Sequence, residues 1–404
     1  MSEAIAVVGW GISTPAGSNT TAFWERLCNA ESTATPQQFG ERPDWEPLTC
    51  RIPRASAEDR LELHELRRLP RPQLLAISAA DDAVYSVDAS IRNRARCSVA
   101  VGTFGAGEYS EQQTRQLVAS GPRGVSPLGI PLTMTNSTAA HLAIRYGFNG
   151  SAITYSTACA AGATAIGEAM WQLRSRRTDV VLAGGVDSLT YLSAMVGFER
   201  LGAMSTASNS LTASRPFDVH RDGFVMGEGA AFLLLMRRAD ADSEGINPHG
   251  QILGYGTNCD AHHLLAPRED GMYASECMMA AVKDADLALT DIGHVNAHGT
   301  STVRNDLAEA FAIERVFGGE QPVVTAPKGV TGHMIGGSAA AEVIGTILSC
   351  RTGIVPRIAG LTCLDPLVRV DAAIDQSRVV GPGTFGLSNS FGFGGHNVSL
   401  VVSA

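Results

Sequence analysis

The sequence contains no Cys-x-x-Cys pair, no basic stretch at its start, and no apolar run approaching the ~20 residues of a membrane span. Eight cysteines scattered through 404 residues without regular spacing read as reduced, buried thiols. They form no disulfide or zinc framework, so no metal is expected and a reducing compartment is. Lys and Arg number 31 against 40 Asp and Glu, a net charge of -9. An acidic chain offers no general basic face to nucleic acid or an anionic membrane, and any phosphate-bearing partner must be met locally. Residues 1–8 pass directly into strand-like sequence. Together these absences predict a cytoplasmic, unprocessed protein.

A 45% hydrophobic composition over this length can bury a large core. Short apolar runs alternate with helical stretches, an α/β pattern. In the first part, runs at Ile5–Val8, Cys97–Val101, Ile153–Tyr155, Val180–Ala183 and Ala230–Met236 read as strands. Thr20–Asn29, Leu74–Val87, Thr138–Tyr146 and Gly162–Arg174 read as helices. A similar order runs from Gln251 to Val402, with helices at Tyr273–Ala285, Asp306–Val316 and Gly337–Cys350. Between the two lies Asp242-Ser-Glu-Gly-Ile-Asn-Pro-His-Gly250, a short polar joint. Two similar halves, 1–249 and 250–404, are expected to pack as one unit.

Cys159 stands in Tyr155-Ser-Thr-Ala-Cys-Ala-Ala-Gly162, between a strand-like run and an Ala-rich helical one. At such a junction, free backbone N–H groups and the helix dipole favour thiolate, so a lowered pKa and a nucleophile are expected. An isolated Cys among alanines is otherwise a small buried hydrophobe. His298 in Val-Asn-Ala-His-Gly-Thr-Ser-Thr and His333 in Lys328-Gly-Val-Thr-Gly-His-Met-Ile-Gly336 follow short apolar runs into Gly/Thr-rich turns. That places them near strand ends, where loops carry function. A thiol with two imidazoles points to acyl transfer through a thioester.

These motifs resemble the elongating, Cys-His-His β-ketoacyl-(acyl carrier protein) synthases of the thiolase superfamily. The likeness also covers Val7-Val-Gly-Trp-Gly-Ile-Ser-Thr-Pro-Ala-Gly17, Ser214-Arg-Pro-Phe-Asp-Val-His-Arg-Asp-Gly-Phe-Val-Met-Gly-Glu-Gly-Ala230 and Asn389-Ser-Phe-Gly-Phe-Gly-Gly-His-Asn397. It implies the thiolase fold, a layered αβαβα duplication, with no cofactor. Its partner would be acyl carrier protein bearing phosphopantetheine-bound acyl and malonyl groups. Cys159 would take the acyl chain, and the backbone N–H groups of Cys159 and Phe393 would form the oxyanion hole. His298 and His333 would stabilise the enolate left by decarboxylation. Lys328 would set the electrostatics, paired with Glu309, and Phe393, before Phe391, would gate acyl entry. Glu342, with Asn296, Ser388 and Asn389, matches positions that hold a structural cation in some relatives; the plainer view is a carboxylate tying loops together.

Other residues are read towards the substrate. Gly105 and Gly129 fall where relatives place bulky residues lining the acyl pocket, Gly129 reaching it from a dimer partner, which implies a deeper pocket here. The run around Gly105 also aligns one residue earlier, at Phe104. His263, Thr300 and Thr302 are placed at the substrate entrance, and His396 stands where many relatives have Thr. Arg67, Arg68, Arg71 and Arg200 are candidates for docking an acidic carrier. The motifs favour a type II polyketide or polyene pathway over fatty-acid synthesis, as a homodimer or as a heterodimer with a chain-length-factor-like subunit. Two other readings remain: the non-catalytic partner subunit itself, which normally lacks the nucleophilic Cys, and a cysteine hydrolase, which would leave the second His and Lys328 unexplained.

Overall fold

The structure, a computed structural model, describes residues 3–53, 61–92 and 96–404. Residues 54–60, part of the Arg- and Pro-rich segment between Thr35 and Arg71, lie outside the described residues. Among the described residues ten main strands form one mixed sheet: β1 (Ile5–Ser13), β2 (Cys97–Gly102), β3 (Ala152–Tyr155), β4 (Val180–Ser188), β5 (Met226–Arg237), β6 (Gly250–Cys259), β7 (Ile292–Asn296), β8 (Val323–Thr325), β9 (Phe385–Gly392) and β10 (His396–Ser403). Their order is β8-β7-β9-β10-β6-β1-β5-β4-β2-β3, with short strands Thr35–Pro36 and Leu48–Cys50 attached at β5.

The order is a palindrome in the two halves. Counted along the chain within each half, the strands run 3-2-4-5-1 from either end of the sheet and meet at the two first strands, where Ile5 pairs with Ile252. The directions repeat as well. In each half, strand 1 pairs antiparallel with strand 5 and strand 5 antiparallel with strand 4, while 4–2 and 2–3 are parallel. The duplication that the sequence resemblance implies is thus explicit in the topology.

Two helices, Ala161–Arg174 and Gly336–Thr352, lie in the middle and touch each other and strands of both halves. They are Ala- and Gly-rich because a helix buried on every side must let backbones approach. A Cβ on Gly162 would come 2.5 Å from the Gly336 carbonyl. Their side chains and the inner faces of both halves make one core. The helices Arg71–Tyr85 and Ser137–Tyr146 cover the outer face of the first half, and Met272–Asp284 with Val303–Phe317 that of the second. The result is the five-layer αβαβα arrangement.

Three differences from the sequence reading have physical causes. β1 runs on past Val8 to Ser13, because its glycines admit the helix above: Cβ atoms on Gly9 and Gly11 would meet the Ala83 and Ala79 carbonyls at 2.2 and 2.0 Å. Helix Gly107–Ser120 has no apolar stripe to announce it, burying only Gln113. Helix Leu192–Arg200, likewise unexpected, buries only Met195.

Candidate active site

Cys159 lies within a single 3₁₀ turn, Ala158–Ala160, between β3 and the central helix Ala161–Arg174. His333 lies just before the other central helix, at the matching place in the second half. Each helix start is preceded by a non-glycine residue with positive φ, Ala158 at 51° and Ile335 at 50°. The duplication therefore brings thiol and imidazole face to face, with His333 Nε2 3.0 Å from Cys159 Sγ. His298, in the loop after β7, completes the group. The His298 and His333 ring centroids are 5.5 Å apart at 83°, and the sulfur and a nitrogen of each imidazole lie within 4.8 Å of one another.

The hydrogen bonds fix both imidazole tautomers. The Ile335 N–H donates to His333 Nδ1 at 3.2 Å, so its proton belongs on Nε2, facing the thiol. Lys328 Nζ donates to the His298 carbonyl (2.6 Å) and to Glu342 Oε1 (2.7 Å), and its third proton faces His298 Nδ1 at 3.3 Å. His298 Nε2 then carries its proton as well. Burial holds both histidines well below the usual imidazole range, reinforced by the Lys328 charge and, for His298, by His333. Two neutral N–H donors result. The chain has only two lysines, and this one is 1% exposed.

Two expectations are corrected here. Lys328 does not pair with Glu309. Glu342 takes the ammonium, while Glu309 accepts the backbone N–H groups of His298 and Gly299 at 2.8 and 2.9 Å and so shapes the His298 loop. The Cys159 pKa is raised, not lowered, to about 12. Burial dominates, outweighing the Lys328 charge and the backbone N–H groups of Phe393 and Cys159, all of which favour thiolate. A helix start helps a thiolate only where some solvation remains.

A cavity of about 460 Å³ opens over these groups. Phe104, Phe198, Phe224, Phe391 and Phe393 line it, together with His263, Thr300 and Thr302. Phe393 stacks against Phe198 with centroids 6.5 Å apart, and Phe391 lies 6.0 Å from the His298 ring. The Thr300 and Thr302 hydroxyls bond each other at 2.8 Å. His263 Nδ1 accepts the Leu265 and Ala266 N–H groups, which turns this exposed loop back over the cavity. His396 pairs across the β9–β10 hairpin with Gly392, at the base of the loop carrying Phe393.

The remaining candidates fall elsewhere. Phe104, not Gly105, lines the cavity; Gly105 has φ +126° and turns the chain behind it. Gly129 opens helix Gly129–Thr133, where the nearest atoms to a Cβ would be those of the Gln113 and Val125 side chains, at 3.6–3.8 Å, and it is not among the residues lining the cavity of its own protomer. Arg67, Arg68 and Arg200 are exposed. Arg71 is not available for docking: Nη2 and Nε meet the fully buried Glu228 at 2.8 and 3.2 Å, and Nη2 also donates to the Ile52 carbonyl. Glu342, which holds Lys328, keeps Oε2 buried, and Asn296 keeps Oδ1 buried, each without a donor among the described residues. The sequence reading missed Asp187, a buried acid among these loops. Its signal was an apolar strand, Val180-Val-Leu-Ala-Gly-Gly-Val, that ends on an acid.

The comparisons agree with this geometry. Residues 2–241 match the family model "Beta-ketoacyl synthase, N-terminal domain", and residues 249–362 match "Beta-ketoacyl synthase, C-terminal domain". The chain is 35% identical over 407 residues to the 3-oxoacyl-[acyl-carrier-protein] synthase 2 of Staphylococcus aureus (strain N315), covering 98% of this chain and 97% of that protein. It superposes with TM-score 0.91 on a type II polyketide synthase ketosynthase solved in complex with its acyl-carrier protein, at 26% identity and covering 100% of both chains. The ishigamide ketosynthase/chain length factor gives TM-score 0.91 at 26% identity, covering 100% of this chain and 99% of that one. Among the described residues no helix is long and apolar enough to cross a membrane. Matched in both halves of the family model and along almost its whole length by a named synthase, the chain belongs to the β-ketoacyl synthase family and is an enzyme of that family.

Proposed function

We propose that the protein catalyses decarboxylative Claisen condensation, joining an acyl group held on Cys159 to malonyl-acyl carrier protein to give a β-ketoacyl-acyl carrier protein. The observation that carries this reading is the pair of neutral imidazoles, each with its proton on Nε2, beside one thiol. In the first step Cys159 Sγ attacks the acyl thioester, the phosphopantetheine thiol leaves with the proton, and the acyl group becomes enzyme-bound. Malonyl-carrier protein then enters. Carbon dioxide departs, the electron pair of the broken C–C bond becomes an enolate, and the Nε2–H groups of His298 and His333 hold its oxygen. The enolate carbon attacks the acyl carbonyl. The tetrahedral oxyanion is met by the Cys159 and Phe393 N–H groups, which lie at the sulfur; as it collapses, Sγ leaves as a thiolate that takes a proton from solvent.

The same reading assigns residues 1–249 to the half with the nucleophile and 250–404 to the half with both histidines. Phe393 would be the gate, and Arg67, Arg68 and Arg200 would meet the carrier. The chain would act in fatty-acid or type II polyketide or polyene synthesis. Phe104 at the cavity wall weighs against the deep pocket expected from Gly105. Assembly as a dimer is supported by β3, which ends the sheet with Ile153 exposed, and by the exposed Leu128, Ile130 and Met134 around the Gly129 helix. Cys159 disfavours the non-catalytic partner role.

Incubation with acyl- and malonyl-carrier protein, followed by intact-mass analysis, tests the reading. An acyl adduct on the wild type, none on Cys159→Ala, and a β-ketoacyl product are expected. Free acid as the only product would identify a hydrolase. A wild type that never becomes acylated would point to the partner role.

A further inference from the structure

Asp187 is fully buried at the end of β4, and among the described residues no cation pairs with it. Four donors converge on its carboxylate. From the loop after β2 come the Thr103 hydroxyl at 2.9 Å, the Phe104 N–H at 2.9 and 3.0 Å to the two oxygens, and the Gly105 N–H at 3.4 Å. From the opposite side comes the Gly336 N–H, at 2.7 Å. The positive φ of Gly105 turns consecutive N–H groups towards one anion, a nest closed around a carboxylate. Gly336 is the first residue of the second central helix, whose dipole also favours an anion there. A Cβ on Gly336 would stand 2.6 Å from Asp187 Oδ2, so only glycine fits.

Each side of this carboxylate leads to a different part of the site. The Thr103–Gly105 loop carries Phe104, which lines the cavity wall. Gly336 ends the His333–Gly336 turn, in which Ile335 N–H fixes the His333 tautomer and the Ser338 hydroxyl lies 3.3 Å from His333 Nδ1. We infer that Asp187 is a positioning residue that holds the Phe104 wall of the acyl pocket and the His333 turn on one carboxylate, making acyl-chain selection and condensation depend on the same group. This rests on the condensing role proposed above. Burial raises the Asp187 pKa to about 7, against the backbone and hydroxyl donors that lower it, and its charge adds to the raised pKa of Cys159.

The test compares the wild type with Asp187→Asn and Thr103→Val. Asp187→Asn keeps the shape but turns an N–H₂ group towards donors that need an acceptor; Thr103→Val removes only the loop-side hydroxyl. Three readouts are taken: acylation of Cys159 by carriers of graded chain length, condensation from preformed acyl-enzyme, and the pH midpoint for alkylation of the Cys159 peptide by iodoacetamide. In Asp187→Asn the preference between favoured and longest chains and the condensation rate should each fall about tenfold, the scale of a small misplacement of reacting groups. The alkylation midpoint should move to lower pH, because a negative charge beside the thiol is gone while Lys328, His298 and His333 stay. Thr103→Val should blunt chain selection only. A folded Asp187→Asn with native selectivity, or with all acyl groups slowed equally, overturns the inference. Should that variant not fold, a native chain-length profile in Thr103→Val does so. A wild type that condenses no acyl and malonyl pair refutes the condensing role instead, and the alkylation midpoint then decides for Asp187: an unshifted midpoint refutes its reach to the thiol.

Discussion

Lys328 and Glu342 form a fully buried ion pair, Nζ to Oε1 2.7 Å, and the same ammonium faces His298 Nδ1. Lys328→Ala therefore leaves a buried carboxylate without its cation, at a cost of about 3–5 kcal/mol, and frees the His298 tautomer. Thermal unfolding should show a large drop, and malonyl decarboxylation should be lost. Adding Glu342→Ala should restore part of the stability and none of the decarboxylation. Recovery of both would make the lysine purely structural.

The two histidines should separate the half-reactions. His298→Ala and His333→Ala are expected to accept an acyl group on Cys159, because neither imidazole forms the acyl bond. Condensation should fall ~10²–10³-fold for each, the usual loss of one oxyanion-type donor. Quench-flow measurement of acyl-enzyme and product checks this. A histidine whose alanine variant condenses at the native rate plays no part in enolate stabilisation.

Much of the centre was legible in the sequence because it sits at element ends, where glycines and small polar residues mark turns beside apolar runs. Cys159, His298 and His333 were found that way. What was not legible depends on contacts across the fold. The Glu342 partner of Lys328 and the Glu228 partner of Arg71 arrive from 14 and 157 residues away. The Cys159 pKa direction turns on how completely neighbouring layers bury the thiol, which no local pattern reports. The wall at Phe104, instead of Gly105, depended on one residue of register in a Gly-rich run.

Arginine substitutions should now behave in two classes. Arg67→Glu and Arg68→Glu, on an exposed helix face, should raise the apparent KM for carrier-bound substrate and weaken its salt dependence, with little change in melting temperature. Arg71→Glu should cost about 3–5 kcal/mol of stability, since it strands Glu228 in the interior. Titration with carrier protein at two ionic strengths, beside calorimetry, distinguishes them. If carrier affinity ignores the exposed pair, the docking surface lies elsewhere.

His294 gives an acid-sensitive element outside the site. Its ring is fully buried and neither nitrogen has a hydrogen-bond partner among the described residues, and burial lowers its pKa from 6.5 to about 4. The unfolded chain binds this proton first, so the contribution of the neutral ring is present above pH 6.5 and is lost as the pH falls towards 4. The loss is on the order of 3 kcal/mol. His294→Leu should flatten the acid limb of the unfolding curve between those values. An unchanged acid limb would show that other groups set it.

The matched helix starts carrying Cys159 and His333 bear on how such a centre could arise. Two identical subunits with this topology would carry the same residues at both helix starts, so a thiol or imidazole placed at one would stand at the other as well. Joining the halves in one chain lets the two places mutate independently. A fused gene can set one nucleophile against one donor, whereas a symmetric pair would crowd two copies of each into the same space.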